Sequence, residues 1–506
     1  MLDDDLWFCA EHHWKPPAEL YALRRRAIGA IKELKQRWSP VTAQLRRLQT
    51  PAIRRVTASR DLGLTALLIM LLSWADTTYP YGLIKGMPAV GTAPPYGIFP
   101  VQEGREITLT EVLEGWQDHN SGIIRQLKPG PHDSVLLEQS EADAMHGFCT
   151  EPMTHAQLLR HIKGAPHRLI PRCIIVQSSG KKRIIDNGDT GGQSERSSDY
   201  NKLTLCSPFR PAQHIAAVAA CASSAQWHSR LEWDSESGGD DWPNAYRGTP
   251  ISHEESLGCV VAFWHEQWQQ PAFQLYHSLL FGLPLAVTSF NRYSRLAEAL
   301  GRRLCLCLTS LYFDDANIVD WKSSKGFGQA AFNQLNVLIG TPFAEEKRQA
   351  MTASGIFLGL HHDLRTVSDG FVRFWPRDRL IAKMEAFLSD ALSSSTLASG
   401  TASKIYGMVA FLEQGLYWRV GCSGLQAIKA RQYETDRCLT PALKESLQLI
   451  QAVLQLRPAR VMEVIHPVVP RFIVASDAAL EGPFAGTGGF LIICCLLYTS
   501  PSPRDA

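Results

Sequence analysis

The stretch LYFDDANIV, Leu311 to Val319, places two neighbouring carboxylates, Asp314 and Asp315, inside an apolar run. Burying two negative charges among apolar side chains costs free energy unless a positive group is bound beside them. Apolar residues on both sides of the pair predict a β-hairpin that presents both carboxylates at its tip. The dipeptide alone is also compatible with a solvent-exposed loop, so its surroundings have to decide.

A second acidic point lies upstream, in GGDDWPNAYRGTPIS, where Asp241 precedes a turn-forming segment. Aspartates on adjacent strands could share a pair of hard divalent cations, and Mg²⁺ is the best fit to all-oxygen ligands. Two metal ions about 4 Å apart are the usual arrangement for in-line phosphoryl transfer. The two acidic segments are therefore compatible with a phosphoryl-transfer site, although a solvated Asp-Asp loop is the commoner interpretation of the dipeptide alone.

The chain of 506 residues is too long for a single core and predicts about two to four domains. Its 12 cysteines form no CxxC pair, which favours a reducing compartment over secretion and gives no reason to expect zinc. The longest apolar stretch, Leu62 to Ala75, is shorter than the roughly 20 residues of a membrane span and reads as a buried helix. With no signal peptide evident, we expect an intracellular protein, cytoplasmic or nuclear, without membrane contact.

Charge is concentrated near the amino terminus. Between Lys15 and Arg60 there are twelve Lys or Arg residues against two acids, Glu19 and Glu33. Such a block either contacts phosphates or is the solvated face of helices, and the sequence leaves both open. The periodicity is helical over residues 18–60, and Pro40 and Pro51 are expected to interrupt it.

Strand and helix patterns alternate irregularly after residue 165, which favours an α+β fold with helices on one face of a sheet. A strand is predicted at Arg172–Gln177 and a strand pair at residues 257–264 and 273–283. Helices are predicted at residues 285–304, 326–340 and over most of 377–457. The segment DSESGGDD, residues 234–241, reads as an acidic, glycine-rich loop, and HSRLEW, residues 228–233, as a short strand.

Five segments resemble the reverse transcriptase family, in the family's order, over roughly residues 170–365. YFDD is similar to its catalytic hairpin, which is normally Tyr, any residue, Asp, Asp. DWPNAYR resembles the first palm motif, and FGLPLAVTSFNR the segment that holds the templating base and the incoming nucleotide. FAEEKRQ followed by IFLGL resembles the lysine-bearing loop and the primer grip, and GKKRIID the basic fingers strand.

The resemblance implies a right-hand polymerase with fingers, a palm with an antiparallel sheet backed by helices, and a helical thumb. It implies RNA-directed DNA synthesis from a primer on an RNA or DNA template, with deoxynucleoside triphosphates as substrates. Asp241 and Asp314 would be the principal ligands of two Mg²⁺ ions, with Mn²⁺ possible, and Asp315 the third carboxylate. The expected parts are a basic helical arm (1–85), an extension (101–165), fingers and palm (166–360), a thumb or connection (361–465) and the start of an RNase H-like domain (470–493).

The same resemblance assigns the nucleotide contacts. Tyr246 would stack under the sugar and collide with a 2′-hydroxyl, which favours deoxynucleotides. Gly282 would allow close backbone approach to the nucleotide, and Lys182 or Arg183 would pair with the triphosphate. Asn291 stands where the family tends to have Gln.

Primer and pyrophosphate contacts follow from the later segments. Phe357, Leu358 and Gly359 would form the primer grip. Lys347 could protonate the departing pyrophosphate as a general acid, although simple solvation of an exposed lysine is an open alternative. Basic residues of the thumb would hold nucleic acid backbones electrostatically; these are Lys429, Arg431 and Arg437.

The segment before Asp241 departs from the family, which usually has an apolar strand running into that aspartate. Asp234 or Asp240 could therefore be the first metal ligand instead. The departure also keeps open a catalytically decayed domain, acting only as a nucleic-acid-binding protein or existing as a pseudogene product.

The carboxyl-terminal segment FIVASDAAL, Phe472 to Leu480, resembles the opening strand of an RNase H-like domain, with Asp477 as its first metal-binding carboxylate. After it, residues 495–506 back-translate to a nucleotide string that looks like a sequencing-library adapter. We therefore expect this tail to be foreign to the fold and the natural domain to continue beyond residue 493.

Overall fold

The structure, a computed structural model, describes residues 4–177, 180–222, 233–416, 424–457, 459–465, 471–481 and 484–494, the last two ranges as backbone only. The chain forms two compact units, residues 1–359 and residues 360–506. Helices and sheets occur in both, so the mixed α+β class is confirmed. The predicted strand at HSRLEW lies, except for its last residue, outside the described residues.

The first unit contains the predicted fingers and palm and the amino-terminal arm. Its helices are α1 (Asp4–His12), α2 (Pro17–Arg47), α3 (Pro51–Val56), α4 (Leu62–Leu71), α5 (Tyr79–Lys85), α6 (Leu109–Leu113), α7 (Trp116–Gln126), α8 (Asp133–Met145), α9 (His155–His161), α10 (Arg210–Ala220), α11 (His253–Ser256), α12 (Ala286–Cys305) and α13 (Phe327–Ile339). Its strands are β1 (Gly91–Ala93), β2 (Leu169–Val176), β3 (Lys182–Asp186), β4 (Ser197–Asp199), β5 (Ser235–Asp241), β6 (Val260–His265), β7 (Gln270–Leu275), β8 (Leu308–Tyr312), β9 (Asp315–Trp321), β10 (Gln349–Thr352) and β11 (Ser354–Phe357).

Two four-stranded sheets organise this unit. One has the order β10-β5-β9-β8 with antiparallel pairs throughout, and helices α10, α12 and α13 pack against its strands β8 and β9. The other has the order β3-β2-β6-β7, in which β2 and β6 run parallel. The buried side chains of α12, α13, β8 and β9 belong to one large apolar core, so the strands that carry the acidic segments rest on a rigid base.

The prediction of a loop at DSESGGDD is wrong, because residues Ser235–Asp241 form strand β5, paired on both sides. Glycine is unfavourable in strands, but here the packing requires it. A Cβ at Gly238 would lie 2.8 Å from the Met351 sulfur and 2.9 Å from the Gln349 carbonyl oxygen. Tertiary contacts therefore override the weak strand propensity of this segment.

The prediction that Pro40 interrupts the amino-terminal helix is also wrong, since α2 runs through it. A proline inside a helix leaves the carbonyl four residues earlier without its usual N–H donor. The Ser39 hydroxyl donates to that carbonyl, on Gln36, at 2.9 Å. Pro51, in contrast, occupies the first turn of α3, where its missing N–H costs nothing, and Thr50 caps the helix.

The apolar segment predicted as a buried helix over Leu62–Ala75 forms helix α4, which ends earlier, at Leu71, and exposes its last two residues. In the part of the chain that the structure describes, no helix is both long and apolar enough to cross a bilayer.

The second unit combines helices with a small sheet. Its helices are α14 (Asp378–Ser394), α15 (Ser399–Leu412), α16 (Leu425–Arg431) and α17 (Pro441–Leu456), which share one apolar core. Strands β12 (Leu360–Asp363), β13 (Phe371–Pro376) and β14 (Arg460–Glu463) pair antiparallel in that order. At its end, β15 (Arg471–Glu481) and β16 (Phe484–Cys494) form an antiparallel pair in which Asp477 lies opposite Gly488. The RNase H-like assignment of this pair stays a prediction.

Candidate active site

The hairpin predicted at YFDD is present. Strand β8 ends at Tyr312 and β9 begins at Asp315, and these two residues pair across a turn made of Phe313 and Asp314. Phe313 has a φ of 54°, as tight hairpin turns require of a central residue. The Ser294 hydroxyl of α12 donates to the Phe313 carbonyl at 2.8 Å, which fixes the turn on the core. Asp314 is thereby held at the tip.

Asp241 meets this hairpin at the end of β5. It is the strand partner of Asp315, and the Trp242 amide donates to the Asp314 carbonyl at 3.3 Å. Lys347 Nζ donates to Asp241 Oδ2 at 2.9 Å. Asp241 Oδ1 is buried and has no hydrogen-bond partner among the described residues. The two acidic segments, far apart in sequence, therefore come together as predicted.

The structure distinguishes the three aspartates that the sequence left open. Successive strand side chains point to opposite faces, so Asp240 and Asp241 diverge. Asp240 is buried and accepts hydrogen bonds from Arg348 Nε and Gln329 Nε2, each at 3.0 Å. Arg348 thus already balances the negative charge of Asp240. Asp234 precedes the opposite end of β5, where it is exposed and lies 3.5 Å from Lys322. Of the three, Asp241 is the one beside Asp314 and Asp315.

The electrostatics of the site are those of crowded carboxylates. Burial raises the pKa of Asp314, and the charge of Asp241 raises it further, while Lys347 opposes both. The hydrogen bond to Asp241 raises the pKa of Lys347 and so stabilises its ammonium form. One lysine thus partly balances the charge of the acidic cluster, and a bound cation would relieve the remaining repulsion.

The donor set fits a divalent cation of the Mg²⁺ type, because carboxylate oxygens are its preferred ligands and Asp241 Oδ1 is a buried acceptor without a donor. Within the described ranges, however, no three or more His, Cys, Asp or Glu side chains converge as a ready-made metal cluster. Metal binding here would have to compete with Lys347 for Asp241.

Tyr246 is fixed beside the carboxylates by aromatic packing. Its ring stacks on Phe290 with centroids 4.9 Å apart and meets the edge of Phe281 at 5.0 Å. Burial raises its pKa, and the nearby charge of Asp314 contributes to the same shift. The following residue, Arg247, donates to the Leu279 carbonyl at 2.9 Å, which anchors the segment. The ring is therefore held near Asp314.

Two predicted nucleotide contacts have structural roles within the chain. Gly282 has a φ of 113°, and a Cβ there would lie 2.2 Å from the Asp186 carbonyl oxygen, so glycine is required by the packing of β3. Asn291 is buried, and its amide nitrogen donates to the Val287 carbonyl of its own helix at 2.7 Å. Contact of either residue with a nucleotide stays a prediction.

The remaining predicted contacts are distributed over both units. Lys182 and Arg183 are exposed at the start of β3, next to the turn that joins β2 to β3. Phe357 is buried at the end of β11, and the next two residues, Leu358 and Gly359, turn the chain with positive φ values.

In the second unit, Lys429 and Arg437 are exposed, but Arg431 is not. Arg431 is 1% exposed and donates to the Cys438 carbonyl at 2.7 Å, with Glu434 at 3.1 Å. The prediction that Arg431 holds a nucleic acid backbone is therefore wrong, because its charge is used inside the fold.

Sequence reasoning missed the residues that hold the site together. The turn is held by Ser294, and Asp240 is held by Arg348 and Gln329. Nothing in the local sequence around these three residues indicates such a role. Arg247 is the last residue of the DWPNAYR motif, and a charged residue directly after the aromatic Tyr246 was a signal for an anchoring ion pair. Its guanidinium lies 3.2 Å from Asp143 and 3.5 Å from Asp186.

No family model matches this chain, and no curated protein matches it. Among solved structures, it is similar to a foamy viral protease-reverse transcriptase, described as dRH, in complex with double-stranded DNA. That match has a TM-score of 0.44 and 12% identity, over 84% of this chain and 65% of the other. A second structure of foamy viral protease-reverse transcriptase with double-stranded DNA has a TM-score of 0.41 and 11% identity, over 74% and 78%. The chain thus spans about 65% of the length of the first, and similarity at this level assigns no family.

Proposed function

We propose that this chain is an RNA-directed DNA polymerase that adds deoxynucleotides to a primer 3′ end by metal-assisted phosphoryl transfer. The observation that carries the proposal is the meeting of Asp241 with the Asp314–Asp315 hairpin on adjacent antiparallel strands. The order of the five sequence motifs supports it independently of that geometry.

Asp241 and Asp314 would hold two Mg²⁺ ions, with Asp315 as a weaker third carboxylate. When bound, such ions supply activation of the attacking hydroxyl and stabilisation of the leaving pyrophosphate. The hairpin turn and strand β5 position these carboxylates in advance, because both are tied to the core by backbone hydrogen bonds. Little additional conformational entropy would therefore be lost in ordering these carboxylates when substrate binds.

The other residues would bind and orient the substrates. Tyr246, held between Phe281 and Phe290, would offer a rigid ring against the sugar and thereby disfavour a 2′-hydroxyl. The exposed Lys182 and Arg183 are free to reach a triphosphate from the fingers hairpin. A template and primer would be held chiefly through their phosphates.

A second candidate is a nucleic-acid-binding protein that has lost catalysis. The bond between Lys347 and Asp241 favours it, because it already balances part of the charge of a carboxylate that a metal ion would need. So does the absence, among the described residues, of three converged metal-binding side chains.

The experiment is primer extension with Mg²⁺ on an RNA template carrying a DNA primer. We expect extension by the unchanged chain and none by the Asp314→Asn, Asp315→Asn variant, since both substitutions keep the side-chain shape and remove the charge. The matched control is Asp118→Asn on the exposed face of α7, which should extend normally.

Template binding, measured on the same proteins by electrophoretic mobility shift, separates the two candidates. Tight binding without extension by the unchanged chain supports the second. Equal extension by the double variant and the unchanged chain refutes the polymerase assignment of these carboxylates.

A further inference from the structure

A cavity of about 220 Å³ lies directly behind the segment that follows Asp241. The amino-terminal arm, the segment after β5, helix α12 and the turn after α13 each contribute to its wall. The residues that matter for its chemistry are Arg60, Phe148, Trp242, Phe290, Tyr293 and Thr341. None of these is one of the proposed metal ligands or nucleotide contacts.

Arg60 gives the cavity its charge. The residue is 6% exposed, and its NH1 nitrogen has no hydrogen-bond partner among the described residues. It also forms no ion pair with a carboxylate in that part of the chain. Its guanidinium lies over the Tyr293 ring, 4.3 Å from the centroid. The Arg60 side chain also hydrogen-bonds to Tyr293, so one nitrogen, NH1, is left without an acceptor. An unpaired nitrogen on a buried guanidinium is unfavourable, and an anion in the cavity that Arg60 lines would offer it an acceptor.

Arg60 is also held firmly in place. The Arg46 side chain donates to its carbonyl at 2.8 Å, and the next amide, of Asp61, donates to the Ile339 carbonyl at 2.8 Å. Gly340 packs so closely on this segment that a Cβ would lie 1.8 Å from the Ser59 carbonyl oxygen. These contacts fix the backbone from which the Arg60 side chain reaches the cavity wall.

Most of the remaining wall is apolar or aromatic, and its polar side chains are Ser59, Asn244 and Thr341. Trp242 lies 5.0 Å from the Tyr293 ring and 6.1 Å from the Phe290 ring, and its indole nitrogen is already used by the Thr341 carbonyl at 3.1 Å. The Tyr293 and Thr341 hydroxyls hydrogen-bond to each other. Walls of this kind suit a planar apolar body, and an apolar cavity of about 150 Å³ is enough to hold benzene.

We propose that this cavity is a binding site for a small aromatic monocarboxylate, with the carboxylate on Arg60 and the ring against Trp242 and Phe290. A single negative charge is favoured because Arg60 is the only charged side chain among the described residues that line the cavity. Planar carboxylates match the forked donors of a guanidinium. The bound molecule would touch Trp242, the residue next to Asp241. The site does not depend on the polymerase proposal.

The test is a titration of the full chain with benzoate and with its neutral counterpart benzamide, followed by ligand-observed NMR. We expect benzoate to bind at least about tenfold more tightly, as a hydrogen-bonded charge pair requires. Arg60→Met should remove that difference, and Arg47→Met, an exposed arginine of the same arm, should keep it.

Equal affinity of the unchanged chain for benzoate and benzamide, or no binding of either at millimolar concentration, would overturn the proposal. Because this comparison uses the unchanged chain, it stands even if Arg60→Met folds poorly. Retention of the preference in a folded Arg60→Met protein would likewise overturn it.

Discussion

A divalent cation at the proposed site would compete with Lys347 for the Asp241 carboxylate. The ammonium lies 2.9 Å from Asp241 Oδ2, and its pKa is raised by that hydrogen bond. A raised pKa makes proton donation less favourable, so the role of Lys347 as a general acid requires that this contact first be released. In the structure as it stands, Lys347 is a counter-ion.

We therefore predict that Lys347→Met lowers the Mg²⁺ concentration needed for half-maximal primer extension. Half-exposed ion pairs contribute no more than about 1 kcal/mol, so the decrease should reach about fivefold at most. The measurement is extension rate against Mg²⁺ concentration.

The matched control for that prediction is Lys325→Met, an exposed lysine away from the acidic cluster, which should leave the Mg²⁺ requirement unchanged. If Lys347→Met raises the Mg²⁺ requirement instead, competition is excluded. Loss of extension at all Mg²⁺ concentrations would favour the general-acid role.

At the scale of single residues, the sequence predicted those parts of the site that follow local rules. The YFDD hairpin was predictable because apolar runs flank a turn on both sides. The partner of that hairpin could not be chosen among Asp234, Asp240 and Asp241 until β5 was known to be a strand. Once that is known, the two-residue period of a strand separates Asp240 from Asp241.

Among the elements, helix α2 shows most clearly why the basic arm was ambiguous. Its residue Arg24 is buried, with NH1 2.7 Å from Asp320 Oδ2 and NH2 2.9 Å from the Leu306 carbonyl. The charge of Arg24 lowers the pKa of Asp320 against the opposing effect of burial. The arm is thus partly a structural brace of the sheet. The local charge pattern could not show this, because the buried pair joins residues 296 positions apart.

We predict that Arg24→Met lowers the free energy of unfolding of the first unit by about 3–5 kcal/mol, because it leaves the buried Asp320 carboxylate short of its main counter-charge. Its neighbour on the exposed face, Arg25, supplies the control, and Arg25→Met should change stability by no more than about 0.5 kcal/mol. Urea denaturation followed by circular dichroism measures both. Equal midpoints for the two variants would show that the pair does not brace the sheet.

At the scale of the whole molecule, buried neutral histidines occur in both units. His214 accepts or donates a hydrogen bond with the Ser310 hydroxyl at 3.0 Å, and burial together with the charges of Arg302 and Arg210 holds its pKa well below the ordinary value. Burial lowers the pKa of His362 to about 4. Glu255 acts in the opposite direction, since burial raises its pKa to about 7.

The signs of these shifts fix the direction of the pH dependence. A histidine whose folded pKa lies below its unfolded value of about 6.5 contributes full stability above that pH and loses it as the pH falls toward the folded value. Glu255 contributes the reverse, losing stability as the pH rises from about 4.5 to about 7. Among the described residues, eight histidines have lowered pKa values and four carboxyl groups have raised ones. Because the histidines are more numerous, we expect the net effect to be loss of stability on acidification.

We predict that the urea concentration at the unfolding midpoint decreases as the pH is lowered from about 7 to about 5. In the transition of the first unit, His214→Gln should make this decrease smaller. Glutamine can keep a hydrogen bond to Ser310 but has no proton to gain in this range, so it removes the titration and preserves the contact. His161→Gln, on an exposed residue of α9, should follow the unchanged chain at every pH. A urea midpoint that rises on acidification would mean that the raised pKa of Glu255 outweighs the lowered pKa values of the histidines. A pH profile of His214→Gln parallel to that of the unchanged chain would show that His214 does not carry the pH dependence of the first unit.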